Sequence, residues 1–272
     1  MGRYARLPSV RTWYEIEGTG DPLLLLHGGL CTNDTSGELR TGLAARHRVF
    51  LPERLAHGHT PNVPGPLPYW DMAEDTVAFP ETVVGGPAHL AGWSDGGIVA
   101  LLMAAARPDL VRRTVLVGTN FRPGPECFAA PAKLETMTPD GPDLAFFREL
   151  YEAVSPDGAE HWPVAAAKVL AMWRTQPTLT AADLARVRTP TLVMAGDDDL
   201  ITLEHTCALY RGIEDSQLAV VPGASHLVPL EQPDRVGRLV LDHLAQDAPV
   251  ETMLPVRRAG RPDGASGADR SA

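Results

Sequence analysis

The sequence predicts an α/β protein: a mostly parallel central sheet flanked by helices, with a helical insertion between two of its strands. Three observations carry this. Short apolar runs alternate with longer helix-like stretches, and strands joined through helical crossovers pair in parallel. The chain of 272 residues is 44% hydrophobic, enough to bury a large core. Between residues 121 and 189 the alternation stops, and proline-punctuated helical stretches with large aromatics take its place.

Residues 11–17 (RTWYEIE) have the aromatic and β-branched content of a strand, and the turn GTGDP at 18–22 leads into LLLLHGG. RVFLP at 48–52 is a second short strand. Residues 69–84 suit a helix, which Pro80 should kink or end early because proline lacks the N–H that a helix interior needs. AHLAGW at 88–93 then reads as a buried strand, followed by the helical run IVALLMAAARPDL and the strand TVLVGTN at 114–120. TLVMAG at 191–196 and QLAVVPG at 217–223 are two more buried strands with a helix between them, and residues 229–245 form the last helix.

The insertion contains LAFFRELYEAV and HWPVAAAKVLAMW and no β-branched run. A crossover needs only about a dozen residues, so this much longer stretch is a cap. The expected organisation is a core from residues 1–121 and 190–246, a helical cap at 122–189, and a Gly-, Ala-, Arg- and Asp-rich disordered tail at 247–272.

Composition excludes several function classes. Lys plus Arg number 24 against 34 Asp plus Glu, for a formal charge of −10, which repels a phosphate backbone; nucleic acid is not an expected partner. Cys31, Cys127 and Cys207 are an odd number without C-x-x-C spacing, so neither a disulfide framework nor a zinc site is expected. The longest aliphatic stretch is Leu23 to Leu26, far short of the ~20 residues that span a bilayer. The N-terminal residues have no apolar run of signal-peptide length and carry Arg6 where a myristoylation motif wants Ser or Thr. A cytoplasmic protein without membrane association is expected, with no indication of oligomeric state.

The chemistry starts at Gly92-Trp93-Ser94-Asp95-Gly96-Gly97, between a strand and a helix. A strand-to-helix turn this sharp needs small residues two before and two after its centre, and it strains the central serine and presents its hydroxyl at the carboxyl end of the sheet. Serine is a poor nucleophile alone and needs a base, an orienting acid and an oxyanion site. Among nine histidines, His226 lies in a loop directly after the last apolar strand, where a base can reach Ser94. His57 and His59 form an H-x-H without further ligands at metal-site spacing and read as turn histidines, so no metal is expected. Three candidates for the acid, Asp197, Asp198 and Asp199, follow the strand at 191–196, and those not orienting the histidine can cap the helix beginning near Thr202 or stay solvated. For the oxyanion, the turn supplies the backbone N–H of Asp95, and the loop His27-Gly28-Gly29 supplies a second donor at Gly29. Leu30 and Trp93 are the expected substrate contacts.

Taken together, HGG at 27–29, GWSDGG at 92–97, GDDD at 196–199 and GASHLVPLEQP at 223–233 resemble the α/β-hydrolase superfamily over about residues 11–244. Its G-x-x-D pattern selects Asp199, and the order Ser94, Asp199, His226 matches that of its triads. The elbow looks like that of the valacyclovir-hydrolase-like branch. The resemblance implies an α/β-hydrolase fold and esterase activity on small acyl groups. Two departures stand out: Glu53-Arg-Leu-Ala-His-Gly58 replaces the usual Asp-x-Arg-Gly-x-Gly loop, and Pro80 interrupts a helix that is normally continuous.

The expected function is therefore a serine hydrolase that cleaves a small-molecule carboxylic ester through an acyl-serine, with no cofactor. A C–C bond hydrolase or lactonase on the same triad, a cofactor-free haloperoxidase or perhydrolase, and a non-catalytic ligand receptor remain open at this stage. So does the Asp95 carboxylate, which can receive a substrate ammonium, cap its helix or bond to the cap.

Overall fold

The computed structural model describes residues 2–129, 134–248 and 250–257. Eight strands form one sheet: β1 (Arg3–Arg6), β2 (Arg11–Glu17), β3 (Pro22–Leu26), β4 (Arg48–Pro52), β5 (Ala88–Trp93), β6 (Val111–Val117), β7 (Thr191–Asp198) and β8 (Ser216–Ser225). Their order across the sheet is β1-β2-β4-β3-β5-β6-β7-β8. The first two pairings, β1 with β2 and β2 with β4, are antiparallel, and the other five are parallel. The helices are α1 (Gly37–Ala44), α2 (Tyr69–Phe79), α3 (Asp95–Ala106), α4 (Ala145–Val154), α5 (Trp162–Thr175), α6 (Ala181–Leu184), α7 (Leu203–Gly212), α8 (Val228–Glu231) and α9 (Pro233–Leu244).

The short apolar runs are strands buried on both faces, where successive side chains feed opposite layers. Leu24, Leu26, Phe50, Leu90 and Leu116 point to one face and pack with Met72 and Phe79 of α2 and with Ile98 to Ala104 of α3. Leu23, Leu25, Val49, Ala91 and Val115 point to the other and pack with Leu39 and Leu43 of α1 and with Val236, Val240 and Leu244 of α9. From β3 the chain passes to β4 on one side, and from β5 to β6 on the other. The crevice between the carboxyl ends of β3 and β5 is thus a topological switch point, where open α/β sheets bind ligands.

Two elements differ from the sequence reading, and a third follows it. β1 was not expected, because RYAR has no strand-like apolar content; pairing with β2, from Arg3 against Tyr14 to Arg6 against Arg11, makes it an edge strand. As expected, Pro80 ends the regular helix of 69–84 at Phe79, opening a wider turn through Val84 that ends on Gly85 in the left-handed region at φ 91°. The last helix is broken at Gln232 into α8 and α9, with Pro233 as the first residue of α9, where its missing N–H costs no helical bond.

Helices α4, α5 and α6 all lie between β6 and β7, with no described strand among them beyond an isolated bridge of Phe128 to Ile201. Of the tail, residues 258–272 lie outside the described residues; residues 250–257 form no helix or strand, and the Arg257 guanidinium bonds the carbonyls of Tyr210, Ile213 and Ser216. No helix among the described residues is long and apolar enough to cross a membrane.

Candidate active site

Strand β5 ends at Trp93 and α3 begins at Asp95, so the chain reverses on Ser94 alone, at φ 54° and ψ −119°. A non-glycine residue held there costs about 1 to 3 kcal/mol, which the buried strand and helix on either side sustain. The flanking glycines are required by space. A Cβ on Gly92 would stand 2.2 Å from the Gly96 carbonyl oxygen, and one on Gly96 would stand 2.2 Å from the carbonyl oxygen of Leu26.

The strained turn aims the Ser94 hydroxyl at the loop after β8. Ser94 Oγ lies 3.0 Å from His226 Nε2, and His226 Nδ1 lies 2.7 Å from Asp199 Oδ1. Asp199 Oδ1 also accepts the Ile201 N–H at 2.9 Å, while Oδ2 is buried without a hydrogen-bond partner. Gly118, at φ 54°, makes room for the pair: a Cβ there would be 2.9 Å from His226 Nδ1. The other two aspartates turn elsewhere. Asp197 accepts the N–H groups of Gly223 and Ala224, and Asp198 is exposed in the β7 to β8 pairing. Neither caps α7, whose N-terminal His205 N–H is accepted by the Thr202 hydroxyl.

The loop 27–31 packs beside the elbow. His27 is buried, and burial together with the charges of Arg54 and His57 holds its imidazole well below the usual histidine range. It is therefore neutral: Nε2 accepts the Arg54 backbone N–H at 3.1 Å, which leaves Nδ1 to donate to the Gly28 carbonyl at 2.7 Å. Arg54, also buried, donates Nη2 to Gly28 O at 3.1 Å and Nη1 to His27 O. His57 and His59 take separate partners, Leu55 O for the first and the Glu53 carboxylate for the second.

The Asp95 carboxylate is buried and caps nothing. It accepts the Tyr69 hydroxyl of α2 at 2.7 Å and the indole N–H of Trp173, from α5, at 2.9 and 3.0 Å. Burial pushes this carboxyl up, and the Arg54 charge and the two hydrogen bonds oppose that rise. Burial also raises the Tyr69 hydroxyl well above the usual tyrosine value, so it remains a donor. Of the roles open for Asp95 in sequence, the structure shows the bond to the α4–α6 segment.

Ser94 and His226 open onto a cavity of roughly 200 Å³. Phe128, Met137, Leu144, Phe147, Leu200 and Ile201 give it an apolar wall, and Tyr69, Asp95, Asn120, Asp143 and Gln176 add polar groups. Leu30 and Trp93, expected as substrate contacts, do not line it. Leu30 packs with Leu26 and the α2–α3 layer, and Trp93 stands behind His226, its indole N–H donating to the His226 carbonyl at 2.8 Å. A residue beside the nucleophile in a buried strand is turned into the core by the pleat. Tyr69, Trp173 and Arg54 were not found from sequence; for Arg54 the one available signal was its place in the departure at 53–58.

The model of a family described as "Alpha/beta hydrolase family" matches residues 23–239. A protein of Azorhizobium caulinodans provisionally named carbamate hydrolase RutD is 28% identical over 264 residues, covering 88% of this chain and 96% of its own. The pimeloyl-[acyl-carrier protein] methyl ester esterase of Nitrosospira multiformis is 26% identical, covering 83% and 95%. Among solved structures, a thermophilic esterase from Thermogutta terrifontis, with malate bound, superposes with a TM-score of 0.71 at 27% identity, over 89% of this chain and 98% of that one.

Proposed function

The chain belongs to the alpha/beta hydrolase family, and from that premise we propose that it is a serine hydrolase cleaving carboxylic esters of small acyl groups, with Ser94, His226 and Asp199 as its triad. One observation carries the reading: the continuous hydrogen-bond chain from Ser94 Oγ through the imidazole to Asp199, opening on an apolar cavity.

In this mechanism His226 Nε2 takes the Ser94 proton as the oxygen attacks the ester carbonyl carbon, and Asp199 stabilises the imidazolium and holds its tautomer. The backbone N–H groups of Asp95 and Gly29 receive the oxyanion; losing one such donor typically costs about 3 to 4 kcal/mol. The imidazolium protonates the leaving alkoxide, and water activated by the same histidine then hydrolyses the acyl-serine. The apolar wall suits the acyl chain of a small ester. The relatives' names, a carbamate hydrolase and a methyl ester esterase, both describe attack on a carbonyl bearing a heteroatom leaving group and support this. Residues 122–189 act as a cap over the core of 1–121 and 190–246, contributing much of the wall and the Trp173 contact to Asp95.

A p-nitrophenyl ester series of graded acyl length, run beside lactone and C–C substrates, tests the proposal. Turnover should peak at short acyl chains, and fluorophosphonate labelling should vanish in Ser94→Ala. Preference for a lactone or a dienoate diketone, or labelling that survives Ser94→Ala, would overturn it.

A further inference from the structure

We infer that Arg54 is a positioning residue whose guanidinium, by holding the carbonyl oxygens of His27 and Gly28, turns the Gly29 N–H toward the oxygen of the ester carbonyl that Ser94 attacks. This rests on the acyl-transfer reading above. In a trans peptide the C=O of one residue and the N–H of the next point in opposite directions, and the one cis bond among the described residues is Gln176–Pro177. Whatever grips the Gly28 carbonyl therefore aims the Gly29 amide. Three donors converge on that oxygen: His27 Nδ1 at 2.7 Å, Arg54 Nη2 at 3.1 Å and the Cys31 N–H at 3.4 Å. Without them the peptide is free to flip, exchanging an N–H for a carbonyl oxygen where the oxyanion forms.

Arg54 acts on this peptide twice. Its guanidinium holds the two carbonyls, and its backbone N–H occupies His27 Nε2, so that the His27 proton stays on the nitrogen facing Gly28 O. Its remaining side-chain nitrogen, Nε, is buried without a partner, and no carboxylate among the described residues lies within ion-pair distance. A buried guanidinium spent on loop carbonyls rather than on a carboxylate is an expensive way to hold a loop. It has a functional return here, because the positive charge also sits behind the amide that must meet a developing negative one. The neighbouring Asp95 carboxylate is engaged by Tyr69 and Trp173 and offsets that charge without taking its hydrogen bonds.

The experiment measures kcat and KM for p-nitrophenyl butyrate, and the affinity of an alkyl trifluoromethyl ketone, which adds to Ser94 as a tetrahedral oxyanion. Arg54→Ala should lower kcat by up to about 10²- to 10³-fold, the usual loss for one missing donor, with KM within about twofold. Ketone affinity should fall in step, and millimolar guanidinium should restore part of both. Arg54→Lys, which keeps the charge and folds more readily, should be intermediate, and His27→Gln should give the same split between kcat and KM. Folded Arg54→Ala or Arg54→Lys with unchanged ketone affinity, or with loss confined to thermal stability, would overturn the inference. If wild type itself ignores the ketone, the acyl-transfer reading fails instead.

Discussion

Gly96→Ala is the substitution whose consequence can be worked most directly from the coordinates. Its Cβ would lie 2.2 Å from the Leu26 carbonyl oxygen and 2.6 Å from that of His27, where ordinary contact begins near 3.4 Å. Both obstacles are backbone. Leu26 ends the central strand β3, fully buried between β4 and β5, and cannot rotate aside. Either α3 or the loop carrying Gly29 must move by about an ångström, and overpacking of this kind costs about 1 to 3 kcal/mol. Since misplacing a catalytic group by about 1 Å can cost roughly 10²-fold in rate, kcat for a p-nitrophenyl ester should fall by about that factor. Gly97→Ala is the control. There the Cβ meets a side-chain oxygen, Thr119 Oγ1, at 1.9 Å, and Gly97→Ala combined with Thr119→Ala should recover most of the stability. Urea unfolding and ester kinetics measure both quantities. If Gly96→Ala proves no more harmful than Gly97→Ala, the claim that the elbow and the oxyanion loop are packed backbone to backbone is wrong.

Asp199→Asn should leave the fold intact and lower kcat about 10⁴-fold, as expected when the acid that sets the histidine tautomer is lost; a loss under tenfold in ester turnover would remove Asp199 from that role. His205 accepts the Phe121 N–H at 3.2 Å and is lowered by burial to about 4, while the unfolded chain keeps the ordinary value near 6.5. The unfolded state therefore binds the proton first. Stability is whole above about pH 6.5 and declines as pH falls toward 4, by up to about 3 kcal/mol for this group. The buried His89 and His243, at about 4, add to the same slope, so urea midpoints should drop across that window and drop less steeply in His205→Gln; an unchanged slope would refute the assignment. Trp173→Phe removes a donor from the buried Asp95 carboxylate and should cost about 1.5 to 3 kcal/mol in urea unfolding, and about 1 kcal/mol less when Asp95→Asn is already present, because the amide oxygen still accepts but carries no charge. Equal losses in both backgrounds would mean that the two side chains are not coupled.

Much of the molecule was legible before any coordinates, and the reason is range. The alternation of buried strands and helices, the stop at Pro80, and the turn at Gly92-x-Ser94-x-Gly96 are consequences of local backbone sterics and short-range periodicity, which neighbouring residues determine among themselves. A histidine in the loop after the last strand and acids after the one before it follow from the rule that sites form at the carboxyl edge of a parallel sheet. Spacing alone left the three consecutive aspartates equal. The fold separated them: the break in the β7–β8 register sends Asp197 to the Gly223 and Ala224 amides and Asp199 to the imidazole. The cavity wall, the Tyr69–Asp95–Trp173 contact and the grip of Arg54 on loop 27–28 belong to tertiary structure altogether. Their members come from different elements and carry no shared motif, and for the same reason β1 went unseen and the turning of Leu30 and Trp93 away from the cavity could not be read. What a side chain meets across the core depends on how layers stack, a long-range outcome of burial that no short window of sequence contains.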